Sequence, residues 1–174
     1  NYEPYFLTVA VPRPRLAVIG AVHISQALAP MAGIAGYDME IIDPRSGFAT
    51  AERFPDVPLH AEWPETVLKE RPFDAYTAVA ALTHDPKIDD GPLKAALDAG
   101  CFYVGALGSR KTHAARVERL KAAGATDEQI ARIHAPIGID IGAVSPQEIA
   151  VAIIAQIVKA MRSRGLDVAK GRPA

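Results

Sequence analysis

The feature that most constrains the fold is a short apolar run, Leu16-Ala17-Val18-Ile19, which ends at Gly20 and is followed by residues with helical spacing. A run without a polar face is typical of a strand that is buried on both sides in a parallel sheet. Further strands are predicted at residues 39–43, 75–82 and 101–104. Because strands alternate with helical segments, the sequence predicts a parallel sheet covered by helices.

The predicted helices have recognisable first residues. Ser109 has the position of an N-cap, and capping boxes are predicted at Thr126 and Ser145, where a hydroxyl and the residue three positions on satisfy each other's free N–H groups. Residues 25–35, 64–70, 93–99 and 109–123 are predicted to be helical, and the last helix is predicted to end near Met161. We therefore predict an α/β fold, a Rossmann-like doubly wound parallel sheet with helices on both faces.

Three segments are predicted along the chain. Residues 1–14 are expected to form an extended lead-in arm, because prolines 4, 12 and 14 disfavour a helix or a central strand. Residues 15–162 are expected to form the Rossmann-like domain. Residues 163–174 are expected to be a flexible tail, because they contain glycine and proline and have little to bury.

Composition excludes several classes of function. The 174 residues include 19 Lys+Arg and 20 Asp+Glu, so there is no cationic surplus for binding nucleic acid or an anionic membrane. The single cysteine, Cys101, excludes an intrachain disulfide and a Cys-based zinc site and favours a reducing compartment. The apolar stretch 149–158 is too short to span a bilayer. We expect a cytoplasmic protein with no nucleic-acid or membrane partner.

The turn after the first predicted strand lies where Rossmann sheets bind dinucleotides. Of the usual three glycines only Gly20 is present, because Val22 and Ser25 occupy the other two positions. The Val22 side chain would fill the space that a pyrophosphate needs, although the helix N-terminus could still receive an anion. A plain strand-to-helix turn is the alternative. Asp43 follows Gly20 by 23 residues, close to the offset of about 20 residues at which an acid binds ribose hydroxyls.

Two other turns are predicted at the same edge of the sheet. Thr83-His84-Asp85 could bind metal or transfer protons, or Asp85 could simply cap the next helix. The segment from Gly105 to Lys111 has two cations at a helix start, where the helix dipole disfavours them unless an anion is bound. Arg45 could contact a phosphate or be solvated.

Other polar residues are given structural interpretations. Arg116, Arg119 and Lys121 are predicted to be a solvated helix face, and His60, His113 and His134 surface or packing residues. Cys101 is predicted to be a small hydrophobic residue. The sequence lacks Ser-His-Asp order, HExxH, a Walker sequence and paired catalytic carboxylates. We therefore predict no catalytic residues and no metal ligands.

Five ordered segments together resemble the XdhC/CoxI family: residues 18–24, 43–45, 82–85, 105–111 and 134–142. The family comprises maturation factors for molybdenum hydroxylases, including xanthine dehydrogenase accessory proteins. The resemblance covers roughly residues 15–160 and the family's C-terminal Rossmann domain, so the family's N-terminal domain is not expected in this sequence. Many members have Gly-Ala-Gly-His-Val-Gly or Gly-Ala-Gly-His-Val-Ala in the first turn, from which this chain departs at Val22 and Ser25.

The resemblance implies a chaperone rather than an enzyme. Its cargo would be molybdenum cofactor, as molybdopterin or its dinucleotide form, protected during sulfuration and delivered to an apo molybdenum hydroxylase; a cysteine desulfurase is a further implied partner. The departure at Val22 disfavours NAD(P) more than a smaller pterin phosphate. The expected cofactor-binding residues are Gly20, Ala21, Val22, His23, Asp43, Arg45, Thr83, His84, Asp85, Gly108, Ser109, Arg110 and Lys111.

Two other functions remain open at this point. An NAD(P)-dependent oxidoreductase would need a close approach of pyrophosphate at residue 22 and a proton donor such as His84. A protein-interaction domain would leave the Rossmann cleft empty. Association through the last helix, as a homodimer or with the family's N-terminal domain, is also expected, because Val151, Ile154 and Val158 form a second apolar stripe on that helix.

Overall fold

The computed structural model describes residues 12–169, with side chains described up to residue 164. Six parallel strands form one sheet in the order β3-β2-β1-β4-β5-β6. This is the strand order of a Rossmann fold, and it confirms the predicted fold class. The strands are β1 (Arg15–Ile19), β2 (Asp38–Ile42), β3 (Leu59–His60), β4 (Thr77–Ala81), β5 (Tyr103–Ala106) and β6 (Ile133–His134).

Helices cover both faces of this sheet. The helices are α1 (His23–Ile34), α2 (Pro64–Glu70), α3 (Pro86–Asp98), α4 (Arg110–Ala122), α5 (Asp127–Ile130) and α6 (Pro146–Ala169). Alternate residues of β1 point to opposite faces: Leu16 and Val18 belong to the core under α1 and α6, whereas Ala17 and Ile19 belong to the core under α2, α3, α4 and α5. Because both faces of the sheet are covered, a central strand such as β1 is apolar along almost its whole length.

Several element boundaries differ from the prediction. Helix α3 begins at Pro86 rather than at residue 93, because Asp85 caps it by accepting a hydrogen bond from the Lys87 N–H (2.9 Å). The two-residue strands β3 and β6 were not predicted, since so short a run carries no periodicity. The capping box at Thr126 is confirmed.

The last helix is longer than expected. It continues to Ala169, past Met161, so residues 163–169 are helical where the sequence predicted a flexible tail. Residues 1–11 of the predicted lead-in arm and residues 170–174 lie outside the described part. The second apolar stripe is only partly exposed: Val151 is 45% exposed, but Ile154 and Val158 pack against the core under α1 and α6. The stripe is therefore smaller than the sequence indicated.

The carboxyl ends of the strands meet at one edge of the sheet, which we call the carboxyl edge. The strand order reverses between β1 and β4, the position at which Rossmann sheets bind ligands. Away from this edge, Cys101 is buried, and burial raises the pKa of its thiol to about 12, as expected for a packing residue. Within residues 12–169, no helix has both the length and the apolar character needed to cross a membrane.

Candidate functional site

The first turn of the carboxyl edge depends on Gly20. Its φ of +120° lies in a region that residues with a Cβ rarely adopt, and a Cβ placed there would lie 2.9 Å from Thr83 Cγ2. Glycine is therefore required twice at this position, once by the backbone conformation and once by the approach of β4. This contact joins the turn after β1 to the turn after β4.

The Asp43 carboxylate is fully hydrogen-bonded to other groups of the chain. Its carboxylate is fully buried and accepts hydrogen bonds from the Ala21 N–H (2.7 Å) and from the Arg45 N–H, Nε and Nη2 (3.0, 2.9 and 2.7 Å). Burial raises the pKa of Asp43, but the hydrogen bonds from Arg45 and Ala21 outweigh it and hold that pKa below its usual value. Four donors occupy about all the acceptor positions of a carboxylate. A ribose could bind Asp43 only by displacing Arg45.

The start of α1 shows where the other residues of this turn lie. Val22 is the N-cap residue, and its side chain is half-buried against the core under α1 and α6. The His23 side chain is exposed and lies 3.2 Å from Gln26 Oε1. Ser25, in the position of the third glycine, is fully buried and donates its hydroxyl to the Gly20 carbonyl at 2.6 Å. The serine therefore stabilises the turn from within.

Arg53, which sequence reasoning missed, connects the loop after β2 to this turn. Its Nη1 donates to the carbonyl oxygens of Ala21 (2.8 Å) and Phe48 (2.7 Å), and its Nη2 donates to Gln26 Oε1 (3.0 Å). The Arg45 guanidinium lies over the Phe48 ring at 4.6 Å. No sequence pattern indicates that a single loop arginine will connect two segments by hydrogen bonds in this way.

The turn after β4 is built around a buried acid. The Thr83 hydroxyl donates to Asp89 Oδ1 at 2.7 Å, and the His84 N–H donates to Asp89 Oδ2 at 3.1 Å. His84 has φ +64°, and it is the one non-glycine residue of the described chain with a positive φ. A strained backbone persists only where its surroundings hold it, and such residues cluster at binding sites. Asp85 serves as the cap of α3, the alternative that the sequence had left open.

The raised pKa of the buried Asp89 carboxyl leads us to predict an unusual pH dependence of stability. Burial raises its pKa to about 6, although the Thr83 hydrogen bond and the Arg116 charge lower it. Between its ordinary pKa near 4 and this value, the folded state holds a proton that the unfolded state has released, so stability falls as pH rises through that window, by on the order of 3 kcal/mol. Urea unfolding at pH 4.5 and 7.5 should show about 2 kcal/mol of this decrease, because pH 4.5 already lies above the ordinary pKa. Asp89→Asn should abolish it and the neighbouring Asp90→Asn should retain it; an unchanged slope in Asp89→Asn would contradict the assignment.

Arg116 is not on a solvated face, so that prediction was wrong. It is only 2% exposed, and its Nη2 donates to the Leu107 carbonyl at 2.9 Å. The error arose because the sequence of α4 is polar all round, so no periodicity separated its buried side from its exposed side. Arg119, one helical turn further on, pairs with Asp90 across α3 and α4.

The turn after β5 presents two cations to solvent. Gly108 has φ +134°, and the Ser109 hydroxyl caps α4 by accepting from the Thr112 N–H at 3.2 Å. Arg110 and Lys111 follow at the exposed first turn of α4, and neither forms an ion pair with the side chains described up to residue 164. These two cations lie beside the positive end of the helix dipole, which disfavours them, and no acid among the described side chains pairs with either one.

The loop after β6 is held rigidly by Gln156, a second residue that sequence reasoning missed. Gln156 Oε1 accepts from the Gly138 N–H (2.8 Å) and the Tyr103 hydroxyl (2.7 Å), and Gln156 Nε2 donates to the Gly138 carbonyl (3.2 Å). Tyr103 also stacks on His134, with 4.9 Å between ring centroids. Backbone polar groups that are paired in this way fix the loop between β6 and α6. The sequence signal was one glutamine within an apolar helix.

A cavity of about 430 Å³ lies between this loop, the start of α4 and the start of α6. That volume is in the range of small-molecule pockets. Most of its walls are apolar, and Arg110 and Asp140 supply its two charged side chains. The remaining lining residues are Leu107, Pro136, Ile137, Gly138, Ile139, Ile141, Ala143, Ile149 and Ala152.

The three predicted turns therefore share one edge but not one pocket. Gly20 and Thr83 join the first two turns, and His84 Nδ1 lies 3.8 Å from the Cβ position of Gly108, which joins the second and third. Of the predicted site residues, however, only Arg110 lines the cavity. Beside its apolar walls, the cavity offers a ligand one cationic side chain, Arg110, and one anionic side chain, Asp140.

The strand order, the single-glycine first turn and the cation-bearing third turn define a Rossmann-like domain with an altered first turn. The chain belongs to the XdhC family, because residues 16–157 match the model of the XdhC Rossmann domain. This confirms the family resemblance that the sequence segments indicated.

Curated relatives support the same assignment. The chain is 34% identical over 159 residues to the uncharacterized protein YqeB of Escherichia coli K12, covering 88% of this chain and 28% of that protein. It is 32% identical to the molybdenum cofactor insertion chaperone PaoD of Escherichia coli K12, covering 84% and 40%. It is 30% identical to a probable xanthine dehydrogenase subunit of Bacillus subtilis 168, covering 88% and 45%. The chain thus spans less than half the length of these relatives.

A solved structure shares the fold. The crystal structure of a protein described as a xanthine dehydrogenase from Bacillus halodurans superposes with a TM-score of 0.76 at 28% sequence identity, covering 88% of this chain and 44% of that one. The comparison therefore covers almost the whole described domain.

Proposed function

We propose that this chain is a molybdenum cofactor-binding maturation factor, which protects sulfurated cofactor and helps insert it into a molybdenum hydroxylase of the xanthine dehydrogenase or CO dehydrogenase type. The observation that carries the proposal is the cavity beside Arg110, in a family that includes a molybdenum cofactor insertion chaperone. The cofactor is cargo in this account, so the chain needs to bind and release it rather than to turn it over.

The side chains around the cavity suit a pterin phosphate. The apolar walls match the faces of the pterin ring, and the Asp140 carboxylate offers an acceptor to its N–H groups. Arg110 lines the cavity, and with Lys111 and the free N–H groups of the first turn of α4 it offers donors to a phosphate. In this proposal the phosphate binds at Gly108, Ser109, Arg110 and Lys111.

The first turn has a different part in this proposal. Gly20, Ala21, Val22 and His23 would contact only a ligand long enough to reach the first turn, and Asp43 and Arg45 would reach it only if their mutual hydrogen bonds open. A mononucleotide form of the cofactor needs no such opening. The dinucleotide form does, because its second nucleotide must extend from the cavity towards the first turn.

The partners follow from the same proposal. The apo molybdenum hydroxylase would receive the cofactor, a cysteine desulfurase would supply sulfur, and all of these steps would take place in the cytoplasm.

We also propose a homodimer through α6, centred on the exposed Val151. Light scattering should report twice the chain mass, and Val151→Lys should halve it; a monomer at high concentration would contradict the dimer.

A transfer assay tests the proposed function. The chain is mixed with molybdenum cofactor released from a denatured molybdoenzyme, separated from free cofactor, and added to an apo hydroxylase. The proposal predicts more restored activity than the same quantity of free cofactor gives, because the bound form is protected from oxidation. Restoration equal to that from free cofactor would contradict it.

The alternative function is an NAD(P)-dependent oxidoreductase, which the Rossmann strand order favours. Against it, Val22 stands where pyrophosphate approaches the backbone, and Asp43 is occupied by Arg45. We therefore expect NAD(P)H to bind weakly, and Val22→Gly to strengthen binding. Fluorescence titration of NAD(P)H measures both. Sub-micromolar affinity of the unaltered chain, with no gain from the glycine, would contradict this steric explanation.

A further inference from the structure

A second cavity lies between α6 and the β6 edge of the sheet, further along the helix than the cavity beside Arg110. Its volume is about 380 Å³, which is again in the range of small-molecule pockets. Among the described residues, only Ile139 lines both cavities. The two cavities are therefore separate sites, and what binds in the second does not depend on the proposed cofactor function.

The walls of the second cavity combine an apolar surface with polar side chains. Phe102, Ile139 and Ala160 form the apolar part. The polar part consists of four side chains from β6 and α6: His134, Gln156, Lys159 and Ser163. No aspartate or glutamate is among these described lining residues, so no carboxylate in the wall competes with an anionic ligand for the lysine.

Two of the four polar side chains are already engaged within the chain. Gln156 Oε1 accepts from the Tyr103 hydroxyl at 2.7 Å. The Ser163 hydroxyl donates to the Lys159 carbonyl at 2.9 Å. The His134 imidazole and the Lys159 ammonium, by contrast, form no ion pair among the side chains of residues 12–164. The ring nitrogens of His134 are also not among the buried polar atoms that lack a partner, so the cavity reaches them.

The His134 imidazole is held in one orientation. It stacks on the Tyr103 ring with 4.9 Å between the ring centroids and 12° between the ring planes, and the bond to Gln156 holds Tyr103 in turn. Because the imidazole is already ordered, it loses little conformational freedom when a ligand binds. Burial and the charge of Lys159 both lower the pKa of His134, so its imidazole is neutral at pH 7 and supplies one N–H donor.

We propose that the second cavity binds a small organic carboxylate, whose charged group pairs with Lys159 and accepts a hydrogen bond from the His134 imidazole. The apolar body of this ligand packs on Phe102 and Ile139. Lys159 is the one charged side chain of the described lining, so the site offers a single positive charge. That charge matches a carboxylate, whereas a phosphate group carries about −1.5 to −2 at pH 7 and has no apolar surface.

Benzoate is the probe for this site. Isothermal titration at pH 7 and constant ionic strength should show saturable binding of one benzoate per chain. Binding should shift the imidazole NMR signals of His134 but not those of the exposed His23 at the start of α1. It should also raise the pKa of His134, since a nearby anion favours the charged form. Benzyl alcohol, which has the same ring without the charge, should bind about tenfold more weakly or worse.

Three variants on α6 test the role of Lys159, which is exposed, so its replacement should leave the domain folded. Lys159→Gln should weaken benzoate binding by about tenfold or more, the effect of losing a charge-assisted contact, and Lys159→Arg should retain most of the affinity. Arg162→Gln is the matched control, because it removes an exposed cation of the same helix that does not line the cavity, and affinity should stay unchanged.

Three results would overturn the inference: no binding of benzoate, equal affinity for benzyl alcohol, or a loss in Lys159→Gln no larger than in Arg162→Gln. Because the probe is benzoate and His134 reports its position, failure of the chain to bind molybdenum cofactor would count only against the proposed function.

Discussion

Gly20→Ala is expected to destabilise the domain by about 2–4 kcal/mol, because it combines an unfavourable positive φ with a steric clash. The new Cβ would lie 2.9 Å from Thr83 Cγ2 and 3.3 Å from the Thr83 backbone nitrogen, in a sheet edge where both strands are buried. Urea unfolding of the variant and the unaltered chain, compared at one pH, measures the loss.

A control and a rescue make this expectation specific. Gly36 also has a positive φ, +84°, but nothing lies within 4 Å of its Cβ position, so Gly36→Ala should cost only about 1 kcal/mol of backbone strain. Thr83→Ser removes the methyl group that clashes, so the double variant should recover part of the loss. If Gly20→Ala and Gly36→Ala lower the free energy of unfolding equally, and Thr83→Ser recovers none of the loss, the contact between the two turns does not contribute to stability.

Replacing Arg110 and Lys111 together by alanine is expected to weaken molybdenum cofactor binding by about a hundredfold or more, since each charge-assisted contact to a phosphate contributes on the order of 1.5–3 kcal/mol. The salt dependence of binding should also become flatter, because fewer charges are then screened. Cofactor affinity measured at two ionic strengths tests both expectations.

Lys121→Ala is the matched control, because Lys121 lies near the other end of the same helix and pairs with Asp127 at the surface. It removes a cation from α4 without touching the cavity, so cofactor affinity should stay unchanged. If the control weakens binding as much as the double variant does, the effect is one of net charge, and the phosphate position at the start of α4 is wrong.

The fold could be predicted from the sequence because the signals for strands and helix starts lie within a few neighbouring residues. The apolar run before Gly20 marks a buried strand, and Ser109 and Thr126 mark helix starts through hydroxyl caps that the structure contains. Strands β3 and β6 escaped prediction because two residues carry no period. Their places in the sheet depend on β2 and β5, to which they pair.

The candidate site was less predictable because its contacts are distant in sequence. Arg45 and Ala21 occupy the acceptor positions of the Asp43 carboxylate, and Gln156 accepts a hydrogen bond from the Gly138 N–H. Both sets of contacts are visible only in the folded chain. Arg116 was misread for a related reason, since a charged residue on a polar helix is usually solvated and only the approach of α3 buries it.

The most direct test of the central claim is to ask what the chain retains. The chain is incubated with released molybdenum cofactor, passed through a gel-filtration column and then oxidised, so that any retained pterin becomes fluorescent. We predict pterin fluorescence that co-elutes with the unaltered chain and is lost when Arg110 and Lys111 are both replaced by alanine. Pterin that elutes apart from the unaltered chain, or a chain that retains a nicotinamide nucleotide in its place, would contradict the account.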